Sequence, residues 1–97
     1  MTCSAGQRLK VSGQPCIVCG SGPCDPAHVA ASAQGGCQSP DCVVPLCRKH
    51  HRLFDTGHLD LLPHLEPRFR LELGHAVGHL GLVGTLRRVT ADRAVAA

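Results

Sequence analysis

Four side chains in this sequence fall into two short pairs whose types and spacing suit a metal ion. Cys16-Ile17-Val18-Cys19 is a Cys-X2-Cys pair followed by Gly20, and Cys47-Arg48-Lys49-His50 offers a second pair at the same spacing. Two thiolates this far apart turn toward one ion because the intervening backbone forms a tight knuckle. On a helix, positions three apart share a face, so Cys47 and His50 point the same way. Three sulfurs and one imidazole nitrogen complete a closed tetrahedral set for zinc. Each pair alone is a weak signal; the two together, with glycine after the first, are a strong one. The loop between them is longer than in a short zinc finger and leaves room for an inserted functional element.

The composition favours the same chemistry. Seven Cys and seven His stand in 97 residues that contain two Phe, no Trp and no Tyr. So short a chain with so little aromatic material needs a metal or disulfides to hold a fold. Disulfides predict a secretory leader, but residues 1–15 are polar and carry Arg8 and Lys10 without an apolar run. The odd cysteine count also fits a reducing compartment. Zinc bound this way contributes on the order of 10 kcal/mol to folding in small modules, so the metal-free chain is expected to be largely unfolded.

A second constellation lies between and just after the zinc pairs: Asp25-Pro26-Ala27-His28-Val29, then Gly35-Gly36, then Cys42-Val43-Val44-Pro45-Leu46-Cys47 running into Arg48-Lys49-His50-His51. Over about residues 16–57 this resembles the HNH endonucleases of bacteria and phages, which are built on a ββα-metal (His-Me finger) fold. In that family a strand carries an Asp-X-His-His-Ile or similar run, a glycine-containing loop follows, and the helix opens Cys-X2-His-His or Cys-X2-Cys-His. The resemblance implies an α+β fold, metal-dependent hydrolysis of DNA phosphodiester bonds, a structural Zn2+, and a catalytic divalent cation such as Mg2+, Mn2+ or Ni2+. It also implies DNA as the partner and a bacterial or phage-infected cytoplasm as the setting.

Carried over residue by residue, the resemblance makes His28 the general base, and an imidazole has the right intrinsic pKa for that task. His51 follows a zinc ligand and projects roughly 100° away from it around a helix. It therefore cannot easily join His50 on one ion and is free to hold a catalytic metal. Asp55, four residues on, shares its face and is a second ligand; Asp25 is a third. The chain departs from the family at three places. Ala27 stands where His or an acid usually precedes the base, so Asp25 or Asp55 must compensate. Cys42 aligns with the family's middle Asn, which orients the base, and the neighbouring Asp41 is the residue able to substitute. Asp55 stands where His is common, and a carboxylate is acceptable to a hard cation there. Other readings stay open for single residues. Asp25 before Pro26 fits a turn, Asp55 before Thr56-Gly57 fits a helix end, and His28 or His51 fits a plain surface position. A rival arrangement places a second zinc on Cys24, His28, Cys37 and Cys42. That arrangement consumes the base and makes the chain a non-catalytic zinc-binding module for DNA or protein. Cys3 has no assigned role.

The elements that must position these residues follow from turn signals and periodicity. Residues 1–15 read as a loose, flexible arm with turns at Gly6, Gly13 and Pro15. Residues 16–57 are the zinc-bound core. His28-Val29-Ala30-Ala31 is a short strand, Gly35-Gly36 and Ser39-Pro40-Asp41 are turns, and Val43-Val44 is a second strand ended by Pro45. A helix is expected from Leu46 to about Thr56, stopped by Gly57. Residues 58–97 form a helical extension of the same domain. Pro67 suits a first helical turn, and Phe69, Leu73, Ala76, Val77 and Leu80 recur at helical spacing. Gly81 ends that helix, and Leu82, Leu86 and Val89 mark another, with Arg87 and Arg88 on its polar side. Residues 91–97 fray. This half reads as a cover for the metal core.

The net charge of +3, from ten Lys and Arg against seven Asp and Glu, permits a polyanion partner without demanding one. Arg48, Lys49, Arg52, Arg68, Arg70, Arg87 and Arg88 are the expected phosphate contacts, which position a protein on DNA without reading its sequence. No apolar run approaches membrane-spanning length, so no membrane partner is expected.

Overall fold

The computed structural model describes residues 3–29, 37–65 and 68–90. Helix α1 spans Ala5–Val11. A two-stranded sheet joins β1 (Cys24–His28) to β2 (Val43–Cys47), and a 3-10 turn over Pro40–Cys42 leads into β2. Helix α2 (Arg48–Asp55) follows β2 directly, then α3 (Leu62–Leu65) and α4 (Arg70–Val89). The fold is therefore a small mixture of helices and one antiparallel ribbon. No helix among the described residues is long and apolar enough to cross a membrane.

The ribbon pairs Cys24 with Cys47, Pro26 with Pro45, and His28 with Val43. The first strand therefore shares only His28 with the expected His28–Ala31, of which Ala30 and Ala31, like the Gly35-Gly36 turn, lie outside the described residues. The second strand runs through Pro45 rather than ending there. Proline is tolerated in both strands because each is an edge with no ladder partner on its far side among the described residues. The Pro45 carbonyl accepts from the Ile17 amide at 3.2 Å, which ties the first Cys pair to β2. Helix α2 begins at Arg48 with Cys47 as its N-cap, later than Leu46, and Gly57 takes the positive φ of 80° that ends it.

The N-terminal stretch expected as a loose arm is instead helical and docked. Ser4 and Gln7 form a capping box, in which Ser4 Oγ accepts from the Gln7 amide and Gln7 Oε1 accepts from the Ser4 amide. The Gln7 side chain is fully buried, and its Nε2 donates to the carbonyls of Cys37 (2.6 Å) and Ser39 (2.8 Å). Those two bonds satisfy a polar group that burial would otherwise penalise.

One apolar cluster joins both halves of the chain. Cys16, Ala27, Val29, Cys42, Val44, Leu46 and Phe54 meet Leu61, Leu65, Phe69, Ala76 and Val89. The N-terminal half thus shares a hydrocarbon core that residues 61–89 complete, and each fully buried large side chain adds about 1.5–3 kcal/mol. The Leu61 amide donates to the Val89 carbonyl at 2.7 Å, which closes the end of α4 over the core. The expected helix end at Gly81 appears as a break inside α4, with φ 75° and ψ 172°. Of the apolar stripes, Phe69, Ala76 and Val89 are buried, while Val77, Leu82 and Leu86 are exposed. The helix start expected at Glu66-Pro67 and the end expected to fray, 91–97, lie outside the described residues.

A second buried fastening ties α4 to the N-terminus. Lys10 Nζ donates to the carbonyls of Pro40 (2.6 Å) and Val43 (2.9 Å) and pairs with Glu72, which is buried. All three ammonium protons are used, the condition under which a buried pair is tolerated. Glu72→Gln keeps the volume but removes the charge opposite Lys10. Lys10 is partly exposed and Gln can still accept from it, so the expected loss is about 1 kcal/mol of stability, read from the denaturant midpoint.

Candidate functional site

The first site is built where β2 becomes α2. Gly20 adopts φ 77° and donates its amide to the Cys16 carbonyl at 2.8 Å, closing the knuckle that turns both thiols to one side. The Cys16 amide donates to the Ser21 carbonyl. Cys47, as N-cap of α2, makes no side-chain capping bond, so its sulfur is left to face Cys19 at 3.8 Å. One turn later His50 Nδ1 lies 3.1 Å from the Cys47 sulfur and 3.7 Å from that of Cys16. All four ligand atoms fall within 4.8 Å of one another. Zinc bonds of ordinary length place tetrahedral ligands about 3.5–3.8 Å apart, so these spacings fit the ion. Cys16, Cys19, Cys47 and His50 could hold zinc.

Electrostatics separates ligand from bystander here. The hydroxyl and backbone of Ser21 lower the Cys19 thiol pKa to about 6, so it is largely thiolate at neutral pH. Cys24, beside it in β1, is pushed the other way by burial and then by the charges of Cys16, Cys47, Cys19 and Asp25. It stays a thiol and donates to the Ser21 carbonyl.

The histidines expected to do chemistry meet at a second place. His28, at the end of β1, is only 6% exposed. Its Nε2 lies 3.3 Å from the Cys37 carbonyl. A carbonyl only accepts, so Nε2 carries the proton and Nδ1 keeps the lone pair. Burial lowers the His28 pKa below 6.5, opposed by that carbonyl, and the charge of Arg88 pushes it the same way as burial. A pocket of about 210 Å3 is lined by Cys3, Pro26, His28, His51 and Asp55. Directly alongside, a shallower depression is lined by Asp25, Arg48, His51, Arg52, Asp55 and Thr56. His51 and Asp55 are common to both. The His51 ring bridges the carboxylates, with Nδ1 at 3.4 Å from Asp25 and Nε2 at 3.3 Å from Asp55.

Other expected residues stand elsewhere. Asp41 is exposed on the 3-10 turn and its carboxylate makes no hydrogen bond among the described residues; the group beside His28 Nε2 is the Cys37 carbonyl. Arg88, expected on phosphate, is turned inward. Its side chain is 11% exposed, donates to the His28 carbonyl at 2.7 Å, pairs with Asp55 at 3.3 Å and lies 4.1 Å over the Phe54 ring. It fixes the end of β1 to the end of α2. Arg48, Lys49, Arg52, Arg68, Arg70 and Arg87 remain on the exposed surface. Cys24, His28, Cys37 and Cys42 do not form one ligand group among the described residues.

A grouping unforeseen from the sequence takes in Cys37 instead. Cys37, His75 and His79 bring their ligand atoms within 4.8 Å of one another, with Cys37 Sγ 3.3 Å from His75 Nε2. The signal was present as His75-X3-His79, an i,i+4 pair on one helical face, but the leucine stripe beside it drew the whole segment into the reading of a cover.

Compared with models of known protein families, with curated proteins and with solved structures, the chain has no match.

Replacing Cys47 or His50 removes a ligand from the junction of β2 and α2. Cys47→Ser and His50→Ala are expected to lose tightly bound zinc and to melt well below the parent chain, by metal analysis and circular dichroism. Cys24→Ser, which removes no ligand, is expected to keep its zinc.

Proposed function

We propose that this chain is a metal-dependent endonuclease of the HNH type, cutting DNA phosphodiester bonds from a zinc-supported ββα-metal core. One observation carries the reading: His28 from the strand, and His51 with Asp55 from the helix, line a single pocket. Beside it, Arg48 and Arg52 edge the neighbouring depression. A zinc on Cys16, Cys19, Cys47 and His50 would fasten β2 to α2 next to this convergence.

His28 is the base. The Cys37 carbonyl fixes its tautomer, and burial keeps it neutral at physiological pH, so it takes a proton from a water whose oxygen bonds to phosphorus while the P–O bond to the sugar breaks, and the leaving sugar oxygen takes up a proton from solvent. The set His51, Asp25 and Asp55, one imidazole with carboxylates, suits Mg2+, Mn2+ or Ni2+. A divalent ion held there would neutralise charge developing on the phosphate. Arg48, Lys49, Arg52 and Arg87 grip the phosphate backbone, while Arg88 positions the His28 strand from inside.

The test is cleavage of supercoiled plasmid by zinc-loaded protein with added magnesium, manganese or nickel. His28→Ala is expected to keep zinc and fold while losing ~10²- to 10⁴-fold in rate. His51→Ala is expected to keep zinc and to need more divalent metal. No cleavage by the parent chain under any metal overturns the reading in favour of a non-catalytic zinc module that binds DNA or protein.

The pH profile gives a separate check. The neutral ring is the active form, and its fraction grows as pH rises through the folded-state pKa. That pKa is lowered, so the rate is expected to climb with a midpoint below 6.5. The same shift means that the His28 contribution to stability is present above 6.5 and is lost as pH falls through the folded value. DNA affinity is expected to drop steeply with added salt, because each neutralised phosphate releases counterions.

A further inference from the structure

We propose that Cys37, His75 and His79 form a second metal site, for a divalent transition ion of the zinc class, separate from the four-ligand set at the start of α2. It does not depend on the nuclease reading.

The geometry is that of a ligand set. The ligand atoms of all three residues lie within 4.8 Å of one another, and Cys37 Sγ stands 3.3 Å from His75 Nε2. His75 and His79 are one turn apart on α4, with ring centroids 4.7 Å apart. The Ser39 amide donates to Cys37 Sγ at 3.4 Å, which orients the sulfur. One sulfur and two imidazoles suit zinc, cobalt or nickel better than magnesium or calcium.

Two features distinguish this site from the first. It offers three protein ligands, so a water or an outside ligand completes a tetrahedron. It is also open, with Cys37 and His75 half-buried and His79 exposed. Both features make the ion weaker and more exchangeable than one held by Cys16, Cys19, Cys47 and His50. The site also has a place in the fold. Through Cys37 it joins α4 to the residue whose carbonyl accepts from Gln7 Nε2 and contacts His28 Nε2. An ion there cross-links α1, β1 and α4 at one residue.

The experiment is metal titration of the full chain, already loaded with one zinc, followed by calorimetry and metal analysis. The parent chain is expected to take up a second zinc, which a mild chelator removes before the first. His79→Ala and Cys37→Ser are expected to stop at one. His79 is exposed, so its replacement leaves folding intact, and unchanged circular dichroism with retention of the first zinc verifies that. Cobalt in place of zinc gives an independent readout: the second equivalent is expected to add a weaker, single-thiolate charge-transfer band that vanishes in both variants. Cys37 is also expected to be alkylated more slowly once the second equivalent is bound, by peptide mass spectrometry. Saturation of the parent chain at one zinc, or uptake of two by both variants, overturns the proposal.

Discussion

Everything in this molecule hangs on the junction where β2 turns into α2. Four ligand atoms from three short segments converge there: the knuckle at Cys16 and Cys19, the last residue of the second strand, and the first turn of the helix. Cys47 is at once strand end, helix N-cap and a side chain able to ligate zinc, so there is no slack between the sheet and the helix. A two-stranded ribbon is marginal alone in water, and an eight-residue helix is shorter than isolated helices that persist. Fastened to each other at one point, they become a rigid corner whose inner faces share Leu46 and Phe54 with the rest of the core. The side chains pointing away from that corner are the ones left free for chemistry.

Cys37 is the second organising residue, through its backbone as much as its thiol. Its carbonyl accepts from Gln7 Nε2 and faces His28 Nε2, and its sulfur faces His75. The N-terminal helix, the end of β1 and the C-terminal helix therefore meet at one residue. Arg88 works in parallel from the opposite end of α4, reaching the His28 carbonyl while pairing with Asp55. A side chain that charge alone would assign to a polyanion is thus consumed in holding His28 and Asp55 in register. Lys10 does the same for the 3-10 turn and Glu72. In a domain with so few aromatic side chains, long cationic side chains bonded to backbone carbonyls and carboxylates do part of the fastening that larger apolar groups do elsewhere.

The ligand set at the first site was legible in the sequence because it is local. Cys-X2-Cys with glycine after it fixes a knuckle, and Cys-X2-His fixes one helical face, whatever surrounds them. The His51–Asp55 pairing was legible for the same reason, as was the glycine break at Gly81. The capping box from Ser4 to Gln7 was equally local, and the arm it organises is a helix because that box and the buried Gln7 override the turn signals around it. The strand positions were harder to place. The proline rule that ends a strand assumes a partner on both sides, and this ribbon has two edges.

The sequence by itself determined the four atoms of the first metal-binding group and set His51 apart from it, because helical and knuckle spacing are properties of a few consecutive residues. Only the tertiary structure decided what those groups face. It put Asp41 in solvent and gave its place beside His28 to a backbone carbonyl, a group that no side-chain pattern reveals. It turned Arg88 inward and carried Cys37 to a histidine pair thirty-eight residues further on. Such pairings depend on how α4 closes over the ribbon, and that closure is set by burial of Val89, Ala76 and Phe69 against Leu61 and Leu65 rather than by any spacing along the chain.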